Sequence, residues 1–457
     1  MMRLEADISR RRLLGGAGAM LGLFAGLGAG TSGARARTPP RPLLLTNLRL
    51  FDGIAERLRE DVNVLIEGPR IAALPPRGEP VEGVETIDCG GRVVIPGLID
   101  AHWHATLVAV TQVQAMTVDP GLIHLMAGRE AGRTLRRGFT TVRDTGGPAF
   151  PLAQAIDLGV IEGPRIFPSG AMISQTSGHG DFRMIHELPR SALGGLSHME
   201  RQGVAAIADG ADAVLMRTRE QLMRGASQVK VMAGGGVASP YDPLDTAQFL
   251  DEELRAAVRA AEDWGTYVCA HVYTPKGIER ALRAGVRSIE HGQLADADSA
   301  RMMAATGAWW SLQPFLMDED ANVYPDPARR AAQARVSEGT VRAFELAERF
   351  GVRTAFGTDI LMSPANLPSQ GRQLAKLTRF RSPLAVLKMA TGDNGELLAM
   401  SGPRAPYDGR LGIVAPGAFA DLLAVEGDPE TSLDFLADPE ANLKLILKDG
   451  RVVKRTL

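Results

Sequence analysis

A (β/α)8 barrel is the fold class this sequence predicts, and two observations predict it. Eight short runs rich in β-branched residues follow residue 92, each ending in polar or glycine residues. Alanine-, arginine- and leucine-rich stretches with helical spacing, such as EELRAAVRAAEDWG and PKGIERALRAG, separate most of them. Strand and helix alternating in this way is the pattern of a parallel sheet curled into a barrel. The second observation is positional. Most of the chemically versatile side chains fall at the C-terminal ends of these runs, and in such a barrel those ends converge on one face, where loops build the active site.

Taken in order, the first 36 residues read as an export signal. Ser9-Arg10-Arg11-Arg12-Leu13-Leu14 is basic and twin-arginine-like, LLGGAGAMLGLFAGLGAG is small and mildly apolar, and Ala34-Arg35-Ala36 is an A-x-A cleavage pattern. The apolar stretch is glycine-rich and at the lower length limit for a span. A cleaved signal is expected, with a periplasmic or secreted mature chain and no stable membrane insertion. Its glycines follow no strand, so they do not read as a dinucleotide loop. Residues 37–96 and 403–457 flank the barrel region, 97–402, as short strand-like pieces with turn signals at FDG, APG, EGD and KDG. By pattern alone they are either two separate extensions or one shared domain.

Composition excludes several classes. Hydrophobic residues make up 45% and charged residues 23%, an ordinary globular balance, and the formal net charge of −2 gives no electrostatic reason to expect nucleic acid. The two cysteines, Cys89 and Cys269, form neither a CxxC pair nor a disulfide framework.

The first run ends IPGLIDAHWHATL, which places His102 and His104 two apart in a chain with only eight histidines. Side chains two apart on a strand point to one side. Both imidazoles therefore face the barrel axis, and Trp103 faces the helices. The fourth run carries Lys230, the fifth ends in His271 and Tyr273, the sixth in His291 and the eighth in Asp359. Half of the chain's histidines at strand ends is hard to explain as core filling. Neutral imidazole with a carboxylate suits zinc, manganese or iron, zinc being commonest in hydrolases. Lys230 is out of place among cations. Either it sits outside the metal shell, or its amine has reacted with carbon dioxide to a carbamate, which could bridge metals about 3.5–4 Å apart. His124, His186 and His198 read as surface or supporting residues. Asp144 either orients a ligand or caps its turn. Gly234-Gly235-Gly236 lacks the lysine of a phosphate loop. The segment between Ser174 and Arg219 is long for a barrel loop and is expected to shape substrate access.

Together these pieces resemble the metal-dependent amidohydrolase superfamily over almost all of the mature chain. PGLIDAHWH resembles its first metal motif, VKVMAGGGVASPYD its carboxylated-lysine strand, CAHVY and IEHG its later histidine motifs, and GTD its eighth-strand aspartate. GRLGIVAPGAFADLLAVEGDP and LILKDGRVV resemble the tail that returns to a small β-sandwich, so the resemblance implies that both flanks form one sandwich domain. SGHGD around His179 most resembles the Xaa-Pro dipeptidase and ochratoxinase group, which cleave an amide beside a free carboxylate.

The resemblance implies a mechanism. His102, His104 and Asp359 would hold one divalent ion, His271 and His291 a second, with carboxylated Lys230 and a hydroxide bridging them. Asp359 would take the proton of the hydroxide and pass it to the leaving amine. His179 and Tyr273 would stabilise the oxyanion, although Tyr273 by itself also reads as a structural ring. A homo-oligomer is implied too. The expected activity is hydrolysis of dipeptides, N-acyl amino acids or ochratoxin-like amides. A lactonase or cyclic-amide hydrolase on the same centre is the rival reading, and a non-catalytic scaffold the third. Mononuclear deaminases of the superfamily lack the bridging lysine, so Lys230 speaks against deamination.

Overall fold

The computed structural model describes residues 42–188, 195–239, 241–322 and 324–457, so the export signal read over residues 1–36 lies outside the described residues. The N-terminal flank supplies β1 (Leu43–Thr46), β2 (Arg49–Phe51), β3 (Leu58–Arg59), β4 (Val64–Glu67), β5 (Arg70–Ala73), β6 (Glu85–Asp88) and β7 (Val93–Pro96). Then come β8 (Leu98–Trp103), β9 (Phe139–Asp144), β10 (Arg165–Pro168), β11 (Met172–Ser174), β12 (Ala205–Ile207), β13 (Val229–Met232), β14 (Val268–Val272), β15 (Ser288–His291), β16 (Trp309–Leu312) and β17 (Thr354–Phe356). The C-terminal flank adds β18 (Leu422–Val425), β19 (Leu443–Lys448) and β20 (Arg451–Arg455). The result is a mixed α/β fold.

Strands from the two ends of the chain meet. β7 pairs antiparallel with β18 and parallel with β2, inside a six-stranded sheet ordered β20-β19-β18-β7-β2-β3. A four-stranded sheet, β5-β4-β1-β6, comes from the N-terminal flank. Leu45, Val64, Ile87 and Val94 share one buried apolar cluster with Leu422, Leu445 and Leu447. Removing such side chains from water stabilises by about 1.5–3 kcal/mol each.

The middle strands pair only in parallel, and helices with one apolar stripe cover them. Asp251–Asp263 opens on three acids that suit the positive end of its dipole, and buries Leu254, Ala257, Val258 and Ala261 at helical spacing. Pro275–Ala284 starts on proline and stops at Gly285, whose φ of 103° few side chains tolerate. Trp103 points outward as alternation requires and packs with Ala127 and Ala131 of helix Pro120–Arg136.

Three details differ from the expected eight-stranded ring. The first run splits at Gly97 into β7, which belongs to the flank sheet, and β8; a Cβ at Gly97 would stand 2.2 Å from Thr140 Oγ1. The third run splits at Ser169-Gly170 into β10 and β11, with Gly170 at φ 78°. The long segment after Ser174 holds β12, a three-residue strand too short to read from sequence, which pairs with β11. As a result the parallel strands form a three-stranded sheet, β10-β9-β8, and a seven-stranded sheet, β12-β11-β13-β14-β15-β16-β17, rather than one closed ladder. Side-chain amides reach across both gaps. Asn394 Nδ2 donates to Ile99 O (2.7 Å) and Phe356 O (2.8 Å), and its Oδ1 accepts from Phe356 N (3.1 Å). Gln228 Nε2 donates to Asp144 O and Phe167 O, both at 2.9 Å. Buried backbone groups left without strand partners are satisfied in this way.

Candidate metal centre

Asp100 ties the end of β8 to the end of β17. Its carboxylate accepts from His102 N (3.1 Å), Thr358 N (3.1 Å), Thr358 Oγ1 (2.7 Å) and Gln370 Nε2 (3.1 Å). Burial pushes this carboxyl up to about 6 against those donors. Gly357 permits the approach, because a Cβ there would stand 2.3 Å from the Cβ of His102. Asp359 N donates to His102 O at 2.9 Å, and Asp359 takes φ 52°, a conformation aspartate tolerates better than most residues. The GTD triplet thus has a task for each residue: close approach, the Asp100 bond and the carboxylate. Asp359 Oδ1 lies 3.4 Å from His102 Nε2 and 3.2 Å from His104 Nε2. Candidate ligand atoms of these three residues all lie within 4.8 Å of one another.

The other sequence-predicted residues adjoin this cluster. Lys230 Nζ stands 3.4 Å from His102 Nε2, while Val229 and Val231 on the same strand join the large apolar core. The His291 ring lies 4.8 Å from His102 and 4.4 Å from His271, between centroids. On β15 simple alternation would turn His291 away from the side that Glu290 faces. His291 adopts φ 75°, and both side chains reach the interior. Such a conformation costs about 1–3 kcal/mol and persists where surrounding contacts enforce it.

Hydrogen bonds select which imidazole nitrogen is left free. His104 Nδ1 donates to Gly146 O (2.8 Å) and leaves Nε2. His271 Nε2 donates to Gly235 O (3.2 Å) and leaves Nδ1. His102 Nδ1 meets Glu290 Oε2 at 2.8 Å, and His291 Nδ1 is buried with no hydrogen-bond partner among the described residues. Burial, helped by the Lys230 charge, lowers His102 to about 4. Burial also takes His271 and His291 well below the ordinary histidine range and lowers the Lys230 ammonium. Asp359 is the opposite case: burial alone would raise it, but His102, His104 and His291 hold it below the carboxylate range. Neutral imidazoles and an ionised carboxylate are the forms that bind metal.

His179 and Tyr273 stand beside this centre. The His179 ring stacks on His271 at 3.9 Å and 11°, and its Nδ1 meets Asp242 Oδ2 at 2.8 Å. The glycine run packs against it, since a Cβ at Gly236 would lie 2.0 Å from the His179 ring. Tyr273 stacks 5.0 Å from His291, and burial raises its phenol well above the usual value, so it stays protonated. His179, His271, Tyr273 and Asp359 line one cavity of about 530 Å³ whose apolar walls include Phe182, Phe315 and Leu361. Asp144 caps its turn through Gly146 N (3.2 Å) and also accepts from Ala105 N (2.7 Å), which steadies the carbonyl that His104 uses. His186 is exposed, and His124 and His198 are half-buried.

Sequence reading missed Asp100, Asp242 and Glu290 as supports. Asp100 was within reach of it, two residues before His102 on one strand face. Glu290 was hidden because its neighbour His291 breaks the alternation. Asp242 carries no spacing signal, since it meets His179 across 63 residues of chain.

Residues 93–453 match the amidohydrolase family model. Ochratoxinase of Aspergillus niger is 32% identical over 377 residues, covering 79% of this chain and 76% of that protein. Among solved structures, a prolidase complexed with N-methylphosphonate-L-proline is 35% identical, with a TM-score of 0.82 over 91% of this chain and 100% of the other. A Xaa-Pro dipeptidase with methionine bound in its active site is 28% identical, with a TM-score of 0.77 over 90% of this chain and 100% of the other.

Proposed function

The chain belongs to the amidohydrolase family, and from that premise we propose a binuclear metal-dependent hydrolase that cleaves an amide bond beside a free carboxylate. The family and the similarity to an ochratoxinase, a prolidase and a Xaa-Pro dipeptidase support hydrolysis of an amide or peptide bond. In this reading the parallel strands are a (β/α)8 barrel over residues 97–402, with β10 and β11 as one interrupted strand and β12 as an edge addition. The flanks, 37–96 and 403–457, are one β-sandwich domain.

The observation that carries the proposal is the convergence of His102, His104 and Asp359 beside Lys230, His271 and His291. The residues fit two divalent ions. Carbonyl acceptors leave one ring nitrogen free on His104 and on His271, and His291 Nδ1 is a buried polar atom with no hydrogen-bond partner among the described residues. His102, His104 and Asp359 would hold one ion and His271 with His291 the other, with carboxylated Lys230 between them; zinc is the ion commonest in such hydrolases. Bound there, divalent metal lowers the pKa of water from 15.7 toward about 7 and polarises a carbonyl oxygen.

The chain's own groups do the rest. Asp359 is an ionised carboxylate on the cavity wall, so it accepts the proton of the attacking water and delivers it to the departing amine nitrogen. The protonated Tyr273 phenol is the donor for the substrate carbonyl oxygen, and His179, whose Nδ1 donates to Asp242, adds a second donor at Nε2 when its ring carries both protons. The apolar walls admit an aryl or aliphatic acyl group.

A combined measurement tests this reading. Purified protein is expected to hold about two divalent ions per chain by elemental analysis, to lose activity with a chelator, and to cleave free dipeptides or N-acyl amino acids faster than their amidated forms. A fully active metal-free preparation would sink the mechanism, and equal rates on free and amidated substrates would favour a lactonase or cyclic-amide hydrolase.

We also propose that residues 1–36 direct twin-arginine export. Replacing Arg10 and Arg11 by lysine is expected to leave precursor in the cytoplasm; mature protein at normal periplasmic levels in that variant would refute the route.

A further inference from the structure

Beside the candidate centre lies a buried charged network that none of the proposed steps uses. Arg143 Nη2 lies 2.7 and 2.8 Å from the two oxygens of Glu290, and its Nε donates to Ala101 O at 2.5 Å. Ser288 Oγ donates to Glu290 Oε1 at 2.6 Å, and Glu290 Oε2 also meets His102 Nδ1 at 2.8 Å. Arg143 and Glu290 are both fully buried. A buried ion pair of this kind seldom stabilises a fold more than a packed apolar pair would. Its geometry has a direction, however. Arg143 cannot lose its proton, and a carboxylate can only accept. The one hydrogen available on the Glu290–His102 line is therefore on Nδ1 of the imidazole. Gln313 Nε2 also approaches Nδ1, at 3.3 Å, but it faces Ser311 O (3.1 Å) and Ser311 Oγ (3.2 Å) as well, and the nearer carboxylate decides.

We propose that Glu290, braced by Arg143, is a positioning residue that locks His102 in its Nδ1–H tautomer and so presents Nε2 to metal. This rests on His102 being a metal ligand, but the tautomer itself exists without metal or substrate. Glutamine at the same place inverts the arrangement. Arg143 and Ser288 claim its single acceptor oxygen, its amide protons face Nδ1, and the ring hydrogen moves to Nε2, where it blocks ligation.

The test is a long-range 15N–1H spectrum of metal-free protein labelled on its histidine rings, with His102 assigned by its loss in His102→Gln. The wild type is expected to show Nδ1–H at His102, Glu290→Gln to show Nε2–H, and Arg143→Lys to keep Nδ1–H because the carboxylate stays an ionised acceptor. Chelator competition should find Glu290→Gln weaker for zinc by about 10–100-fold, the usual scale for such outer partners. A merely structural Glu290 would lower the melting temperature and leave the tautomer unchanged. Nε2–H in the wild type, or wild-type zinc affinity in Glu290→Gln, overturns the proposal. If Glu290→Gln does not fold, the wild-type spectrum decides alone. Because no substrate enters the measurement, a failed search for amide turnover would leave this result standing or falling on its own.

Discussion

Lys230→Ala is expected to lose metal and about 10³-fold or more in kcat, the scale of several kcal/mol of charge stabilisation. Lys230→Arg is expected to fare no better. The reason lies in where the side chain is. Lys230 is 1% exposed, and its Nζ stands 3.4 Å from His102 Nε2. An ammonium there would repel every cation the neighbouring imidazoles attract. Burial lowers the pKa of the group, which raises the share of free amine able to attack carbon dioxide. That attack forms an N–C bond and releases one proton, and the carbamate carries a negative charge on two oxygens. Guanidinium keeps its charge and cannot make this product. In the carboxylated-lysine reading the element missing from Lys230→Ala is a carboxylate-like bridge, so acetate or formate is expected to restore part of the turnover in Lys230→Ala and none in Lys230→Arg. Metal content and initial rates with and without added acetate distinguish the outcomes. Normal rates in Lys230→Arg would end the carboxylated-lysine reading.

Much of this site was legible because its signals are local. His102 and His104 share a strand face by spacing alone, and so do His271 and Tyr273, and the structure brings these strand ends together through His291. The parallel strands and their helices followed from hydrophobic period. The ring did not close as eight even ladders, and the reasons are non-local. Asn394 bridges Ile99 and Phe356 from a helix far along the chain, which no period reveals. Gly170 breaks a run that reads as continuous, because a left-handed glycine and a flexible one look alike in sequence. The supports around the candidate metal ligands escaped for similar reasons. Asp242 reaches His179 across a loop. Glu290 precedes a histidine that violates strand alternation, so a period-two reading sends one of the pair outward when both point in. Strain of this kind gathers at functional sites, and here sequence pattern found the candidate ligands but not the residues that support them.

Asp359→Asn is expected to keep the fold and lose about 10²–10⁴ of kcat, the usual contribution of a positioned proton acceptor. The substitution isolates the charge because of the backbone. Asp359 sits at φ 52°, in the left-handed region that asparagine enters more readily than other side-bearing residues. Asp359→Ala would add about 1–2 kcal/mol of backbone strain to the lost chemistry, and a poor result with it would not separate the two causes. With asparagine the bond from Asp359 N to His102 O can remain, since it uses only backbone atoms. Two properties disappear. The amide oxygen cannot hold a proton at neutral pH, so no group receives the proton of the attacking water. The negative charge beside Nε2 of His102 and His104 also vanishes, at 3.4 and 3.2 Å, which weakens the cluster for divalent cations. These effects are separable by loading. At saturating zinc the binding deficit is overcome, and only the missing proton acceptor remains. The variant should then recover metal content but not turnover. Recovery of full turnover at saturating zinc would show that Asp359 only holds metal and that the proton acceptor is another residue on the cavity wall.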